Sequence, residues 1–207
     1  MTEEQAALGE NGVGRLLTFS DGVFAIAVTL LVLNLREPAV SHGLLGALLK
    51  QWPAYLSYVL SFLIIGTIWA QHHRMFQLIR YTDHLFLMIN VVFLMWVAAL
   101  PFPTALLARY LESSAERPTA IAIYSGIFVI GALLGNVRWH YAAHNGLLGD
   151  EVDRAAVQAI TVLLAVGPIL YLVDFAISFI SPLASIVLLF LAGVFYAVSP
   201  LGSRPAK

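Results

Sequence analysis

The sequence has no cysteine among its 207 residues and carries little charge. Without cysteine it can form no disulfide bond, thiolate metal site or thiol nucleophile. Charged residues make up only 11% of the chain, whereas a soluble domain usually carries about 25%. Such a chain cannot cover a soluble globule with polar surface, which excludes soluble enzymes and secreted modules.

An excess of one sign of charge is also missing. Eleven Lys and Arg residues stand against twelve Asp and Glu residues, for a formal net charge of −1. A balanced chain of this kind has no basic field that could hold a polyanion, so no nucleic-acid partner is expected. Hydrophobic residues, in contrast, make up 60% of the sequence. This composition predicts an integral membrane protein with a single domain over residues 1–207.

Six long apolar segments divide the chain, and each could cross about 30 Å of hydrocarbon as an α-helix. A helix satisfies every backbone polar group within its own segment, as a bilayer requires. The predicted all-α fold has six transmembrane helices, at about 16–35, 52–78, 85–108, 118–140, 155–179 and 182–199.

The positive charges between these segments predict the orientation of the protein. One side would carry most of the eleven Lys and Arg residues, namely Arg15, Arg74, Arg80, Arg138, Arg154, Arg204 and Lys207. Because positive loops stay in the cytoplasm, this bias places both termini there.

The first segment separates an apolar stripe from a polar pair. At about 100° per residue, one stripe contains Phe19, Gly22, Ile26, Thr29, Leu30 and Leu33. Ser20 and Asp21 point away from it on opposite sides. A carboxylate near the centre of a bilayer costs about 2.5–3.5 kcal/mol. Asp21 must therefore face protein or water and find a hydrogen-bond donor.

Helices two and three offer polar groups at the depth of this pair. We predict a buried hydrogen-bonded network that pins the first helix to its neighbours. Its members would be Arg15, Ser20, Asp21, His72, His73 and Asn90. A titrating switch and a metal site are the alternatives. Two adjacent histidines point about 100° apart on a helix and rarely ligate one ion, so no metal or cofactor is assigned.

Three further ionisable residues stand out. Asp174 lies about 20 residues, or about 30 Å, along the fifth segment, which predicts a wetted carboxylate at the outer interface. His140 and His144 are four residues apart, a spacing that can bind a metal. In the absence of a clear third ligand, we interpret them as solvated histidines near a loop.

The stretch from Arg15 to Leu33, with Phe-Ser-Asp at its centre, resembles the first helix of the transmembrane protein 175 family. This is a family of endosomal and lysosomal potassium channels with single-repeat bacterial homologues. The end of helix two, with Trp69 and the pair His72-His73, fits the same pattern. So does the sequence Leu-Pro-Phe-Pro-Thr at 100–104, whose two prolines also predict a bend or an end of helix three.

The resemblance implies a homotetramer in the bilayer of a bacterial inner membrane, with the first helix of each subunit lining a central pore. In that family a ring of bulky apolar side chains replaces a carbonyl filter. The matching positions here are Ile26, Leu30 and Leu33, with Thr29 as a polar ring nearby. The expected protein is a potassium-favouring, leak-type cation channel without enzymatic activity. Its partners would be potassium ions, further copies of itself and lipid.

Three other interpretations stay open. The apolar stripe of the first helix could simply pack against neighbouring helices. A proton- or cation-coupled secondary transporter would need inverted repeats and helices that are broken near the midplane. Only the sequence Gly167-Pro168 suggests such a break. A membrane enzyme with a di-metal centre would need more clustered histidines than the six scattered here.

Overall fold

The computed structural model of the chain describes residues 3–38, 43–149 and 151–198. Apart from one β-bridge between Ile79 and Leu148, the regular structure of these residues is helical. The helices are α1 (Glu3–Leu30, followed by a 3-10 turn at Leu31–Asn34), α2 (Leu44–Leu49), α3 (Trp52–Phe76), α4 (His84–Ala99), α5 (Pro101–Tyr110), α6 (Arg117–His144), α7 (Arg154–Ile180) and α8 (Pro182–Val198).

The all-helical prediction is confirmed, and the structure has five stretches that are long and apolar enough to cross a membrane. These are Gly12–Asn34, Trp52–Phe76, His84–Tyr110, Arg117–His144 and Arg154–Ile180. The sixth predicted span forms α8, an apolar helix of 17 residues, at the short end of the range of about 17–25 that spans a bilayer. Six spans and two cytoplasmic termini therefore stay predictions, and residues 199–207 lie outside the described part of the chain.

The third span consists of two helices that meet at Leu100. This residue keeps helical dihedral angles (φ −57°, ψ −32°) and lies between the last turn of α4 and the first turn of α5. Pro101 lacks the amide hydrogen that a continuous helix would use, but it suits the first position of a new one. The Pro-Phe-Pro sequence therefore interrupts the span without ending it.

α1 packs on its own subunit through one face only, against α3, α4 and α5. The buried residues of this face recur every three or four positions and are Val13, Leu16, Ser20, Phe24, Ala27 and Leu31. This spacing is that of one stripe on an α-helix. The other face of α1 is left uncovered.

The prediction of a wetted Asp174 is wrong, because its side chain lies inside the bundle and is 1% exposed. Ser125 on α6 and Ser185 on α8 lie near it, but their hydroxyls are 3.1 Å apart and pair with each other. Within the described residues neither carboxylate oxygen has a hydrogen-bond partner. Counting residues along α7 gives the height of Asp174 but not the direction it faces. The chain turns back after α7, so that α8 and α6 cover this turn.

Gly131 on α6 allows a close approach of α4. A Cβ atom at this position would lie 2.0 Å from Cζ2 of Trp96. The indole cannot easily withdraw, because its Nε1 donates a hydrogen bond to the Ile127 carbonyl at 2.8 Å. The packing of α4 on α6 therefore requires a residue without a side chain at position 131.

We expect Gly131→Ala to lower the melting temperature of the detergent-solubilised protein, by an overpacking cost of about 1–3 kcal/mol. Gly135→Ala is the matched control, because a Cβ at Gly135 meets no atom within 4 Å. That variant should be as stable as the parent or slightly more so, since alanine favours helix. Equal melting temperatures for the two variants would contradict this view of the α4–α6 contact.

Candidate functional site

A buried chain of hydrogen bonds joins α1, α4, α6 and α3. The amide Nδ2 of Asn90 donates to Ser20 Oγ at 3.2 Å. Arg138 Nη1 lies 3.0 Å from Asn90 Oδ1 and 2.9 Å from His72 Nδ1. All four side chains are at most 4% exposed. We call these four residues the polar anchor.

The donors of the polar anchor fix the tautomer of its histidine. A guanidinium group only donates hydrogen bonds, so His72 Nδ1 must accept the one from Arg138. In the neutral imidazole the ring proton then lies on Nε2. Within the described ranges, the hydrogen bonds of Arg138 go to an amide and an imidazole, and none goes to a carboxylate.

Aromatic rings enclose the charged centre of the polar anchor. The Cζ atom of Arg138 lies 3.7 Å from the ring centroid of Phe93, which is the geometry of a cation–π contact. The ring of His72 lies 4.4 Å from that of Phe76 and 5.3 Å from that of Phe24. The cation–π contact provides part of the stabilisation that a carboxylate would otherwise give.

The polar anchor divides the apolar core of the subunit into two clusters. On α4, Phe86 belongs to one cluster and Phe93 to the other, with Asn90 between them. On α1, Leu16 and Phe24 belong to the same two clusters and lie on either side of the serine. Since apolar contacts alone specify helix rotation weakly, a polar layer between them defines how the helices align.

Asp21 uses a separate partner on α3. Its Oδ1 accepts a hydrogen bond from Trp69 Nε1 at 2.8 Å, and the ring of Trp69 lies 5.9 Å from that of His73. This second branch lies at the subunit surface, because Trp69 is 43% exposed. Arg15 is exposed, and in the described part of the chain no hydrogen bond joins it to either branch.

Arg138 is the member of the polar anchor that the sequence analysis missed. The charge count places it outside the membrane, whereas the structure places it inside the bundle at 4% exposure. One signal was available, since the residue falls within the predicted helix 118–140. A guanidinium in an apolar segment needs acceptors, and an asparagine on a neighbouring helix supplies one.

The predicted pore-lining residues lie on the uncovered face of α1 and, in the case of Leu33, in the 3-10 turn that follows it. Ile26, Leu30 and Leu33 are 61%, 41% and 68% exposed. The hydroxyl of Thr29 donates within its own helix and lies 3.0 Å from the Ala25 carbonyl and 2.9 Å from that of Ile26. Exposure alone does not identify a pore, because apolar residues on other helices, such as Ile169 on α7 at 68%, are equally exposed.

Known proteins resemble this chain along most of its length. A sequence model of the endosomal/lysosomal potassium channel TMEM175 matches residues 15–101. A protein of Chamaesiphon minutus named a potassium channel is 44% identical over 194 residues, which are 91% of this chain and 95% of the relative. A potassium channel of Streptomyces collinus is 41% identical over 174 residues, or 83% and 84% of the two chains.

A solved structure shares the fold as well. The crystal structure of a lysosomal potassium-selective channel TMEM175 homolog from Chamaesiphon minutus superposes with a TM-score of 0.82 at 43% identity. The alignment covers 91% of this chain and 97% of the other. These relatives are named as channels.

Replacing Asn90 by alanine should strongly destabilise the subunit. The change removes the link between Ser20 and Arg138. It leaves the buried hydroxyl with its bond to the Leu16 carbonyl alone and the buried guanidinium with its bond to His72 alone, at a cost of about 1–3 kcal/mol. We expect a lower melting temperature of the purified protein in detergent. Asn145→Ala is the control, because that side chain is exposed and binds only the Tyr141 carbonyl of its own helix. If the polar anchor did not contribute to stability, both variants would have the same melting temperature.

Proposed function

Because the chain belongs to the TMEM175 family of potassium channels, we propose that it conducts potassium through a pore lined by α1 in a homotetramer. The observation that carries this proposal is the division of α1 into two faces. One face is buried against its own subunit, and the other exposes Ile26 and Leu30, followed by Leu33 in the 3-10 turn. The proposed location is the inner membrane of a bacterial cell, with both termini in the cytoplasm.

An oligomer is needed because a single lining helix cannot enclose a passage. α1 contacts α3, α4 and α5 on one side only, so it lies at the edge of the subunit. Copies related by an axis parallel to α1 would bring these uncovered faces together, as closed rotational symmetry allows. Four copies are the number that the family resemblance implies.

The chemistry of the stripe supports a constriction of the apolar type. The chain has no Thr-Val-Gly-Tyr-Gly loop, which excludes the filter of backbone carbonyls that potassium channels often use. Branched apolar side chains offer an ion no ligand, so an ion that passes them must keep or thin its own water shell. Potassium holds its water less tightly than sodium does. A narrow apolar ring would therefore favour potassium to a modest degree.

The polar anchor would determine which side chains of α1 face the constriction. Ser20 lies six residues before Ile26, or about 9 Å along the helix axis. Its hydrogen bond to Asn90 fixes the rotation of α1 at that height, while Phe24, Ala27 and Leu31 keep the same face inward above it. With its rotation fixed in this way, α1 would present the same side chains to the axis in every subunit.

The transporter alternative finds less support. It relied on a broken helix at Gly167-Pro168, but α7 runs without interruption from Arg154 to Ile180 with Pro168 inside it. A carrier would also move ions in a saturable way and far more slowly than an open pore. Recordings from single reconstituted proteins therefore separate the two functions directly.

Ile26→Ser should raise the conductance and weaken the preference for potassium over sodium, because a smaller polar side chain widens and wets the ring. The measurement is the reversal potential across a planar bilayer with potassium on one side and sodium on the other. Ile169→Ser is the matched control, since Ile169 on α7 is 68% exposed but lies far from α1 in the proposed pore. An unchanged reversal potential in Ile26→Ser would refute the assignment of the constriction.

The proposed assembly has its own test. Light scattering of the protein–detergent complex, corrected for bound detergent, should give the mass of four chains of 22.6 kDa each. The same value should appear after crosslinking in native membranes. A monomer or a dimer under both conditions would exclude a pore enclosed by four copies of α1.

A further inference from the structure

Two histidines lie one turn apart at the C-terminal end of α6, and the proposed channel does not use them. Both belong to α6, which ends at His144 immediately before a turn. Both side chains are exposed. The ring centroids of His140 and His144 are 6.0 Å apart, and the ring planes are 17° from parallel.

Backbone hydrogen bonds set the tautomer of each ring. Nδ1 of His140 lies 2.9 Å from the Asn136 carbonyl oxygen, and Nδ1 of His144 lies 2.8 Å from the His140 carbonyl oxygen. A carbonyl oxygen only accepts, so both Nδ1 atoms carry the proton. Each Nε2 of the neutral rings then keeps a free lone pair. The same bond from Nδ1–H to a backbone carbonyl commonly orients histidines that ligate metals.

We propose that His140 and His144 together bind one divalent transition-metal ion per subunit, Zn²⁺ being the representative case, through their two Nε2 atoms. Histidines at positions i and i+4 on one helix face are the spacing that metal-binding helices of the His-Glu-x-x-His type use. Imidazole ligands favour late first-row ions over Mg²⁺ and Ca²⁺. The rings need only tilt their Nε2 ends towards each other, which exposed side chains can do.

The expected affinity is moderate. Within the described residues no group of three or more His, Asp and Glu side chains could hold a metal ion. Water would therefore complete the coordination shell, unlike the four protein ligands of a structural zinc site. The pair at 72 and 73 does not compete as a site, because His72 is 1% exposed and its Nδ1 is taken by Arg138.

A bound ion would tie the last two turns of α6 together. His140 is two residues beyond Arg138, so the ion would stabilise the helix end that follows the polar anchor. Ligand binding to the folded state raises stability by mass action. Zinc should thus raise the melting temperature of the protein, whether or not the channel conducts.

The test uses the full chain without an affinity tag, purified in detergent and titrated with ZnCl₂ in a calorimeter. We expect one Zn²⁺ per chain and a rise in melting temperature. His140→Gln and His144→Gln should each weaken binding by at least about tenfold, because each removes one of two ligands. MgCl₂ should bind to none of these proteins at this site.

His84→Gln is the matched control, because His84 is also exposed but has no histidine one turn away. It should bind zinc as the parent protein does. The proposal is overturned if the parent binds no zinc, if either glutamine variant at 140 or 144 binds as tightly as the parent, or if His84→Gln loses binding as well. Elution of each variant as the parent's oligomer excludes misfolding as the cause of a loss, and this result is independent of ion conduction.

Discussion

The arrangement of this subunit depends on one constraint. Its buried positive charge needs hydrogen-bond partners, and none of those that the structure describes is a carboxylate. The guanidinium of Arg138 is buried, and it contacts an amide oxygen, an imidazole nitrogen and the face of an aromatic ring. Each partner comes from α3 or α4, so those helices must meet α6 at one height. Asn90 in turn donates a hydrogen bond to Ser20, so the position of α1 is tied to that of α4. A shift of any of these helices would break these hydrogen bonds and leave a charged donor without an acceptor in a medium of low dielectric constant. That loss costs far more free energy than the loss of an apolar contact.

In the proposed channel, the rotation of α1 would matter more than its depth. On an α-helix a rotation of about 100° exchanges neighbouring residues, and in one direction it would turn the buried Ala27 towards the place that Ile26 now occupies. Apolar side chains resist such a rotation weakly, since lipid and protein interiors are equally apolar. A hydrogen bond to a buried asparagine resists it strongly. The proposed pore therefore relies on a polar contact that lies outside it, on the opposite face of the same helix.

The sequence predicted those features that depend on one segment at a time. Helix positions follow from apolar length, and the two faces of α1 follow from helical periodicity, so Ile26 and Ser20 were separated correctly by geometry alone. The grouping of Ser20, His72 and Asn90 followed from their equal height in an up-and-down order of helices. Arg138 and Asp174 could not be placed in this way. Height along a helix says nothing of the direction a side chain faces, and that direction is set by packing among α6, α7 and α8.

The second half of the chain takes part in the candidate site and does more than support it. The family model ends at residue 101, before α6 begins, yet the central cation of the polar anchor belongs to α6. Helices α1, α3 and α4 on their own would contain Asn90 and His72 with acceptors facing a void. An unsatisfied buried acceptor costs about 1–3 kcal/mol, so this arrangement of the first helices would be unstable by itself. The close packing of α6 on α4, which Gly131 permits against Trp96, brings the guanidinium within reach. The region that resembles the channel family most clearly is thus completed by a helix that the family model does not include.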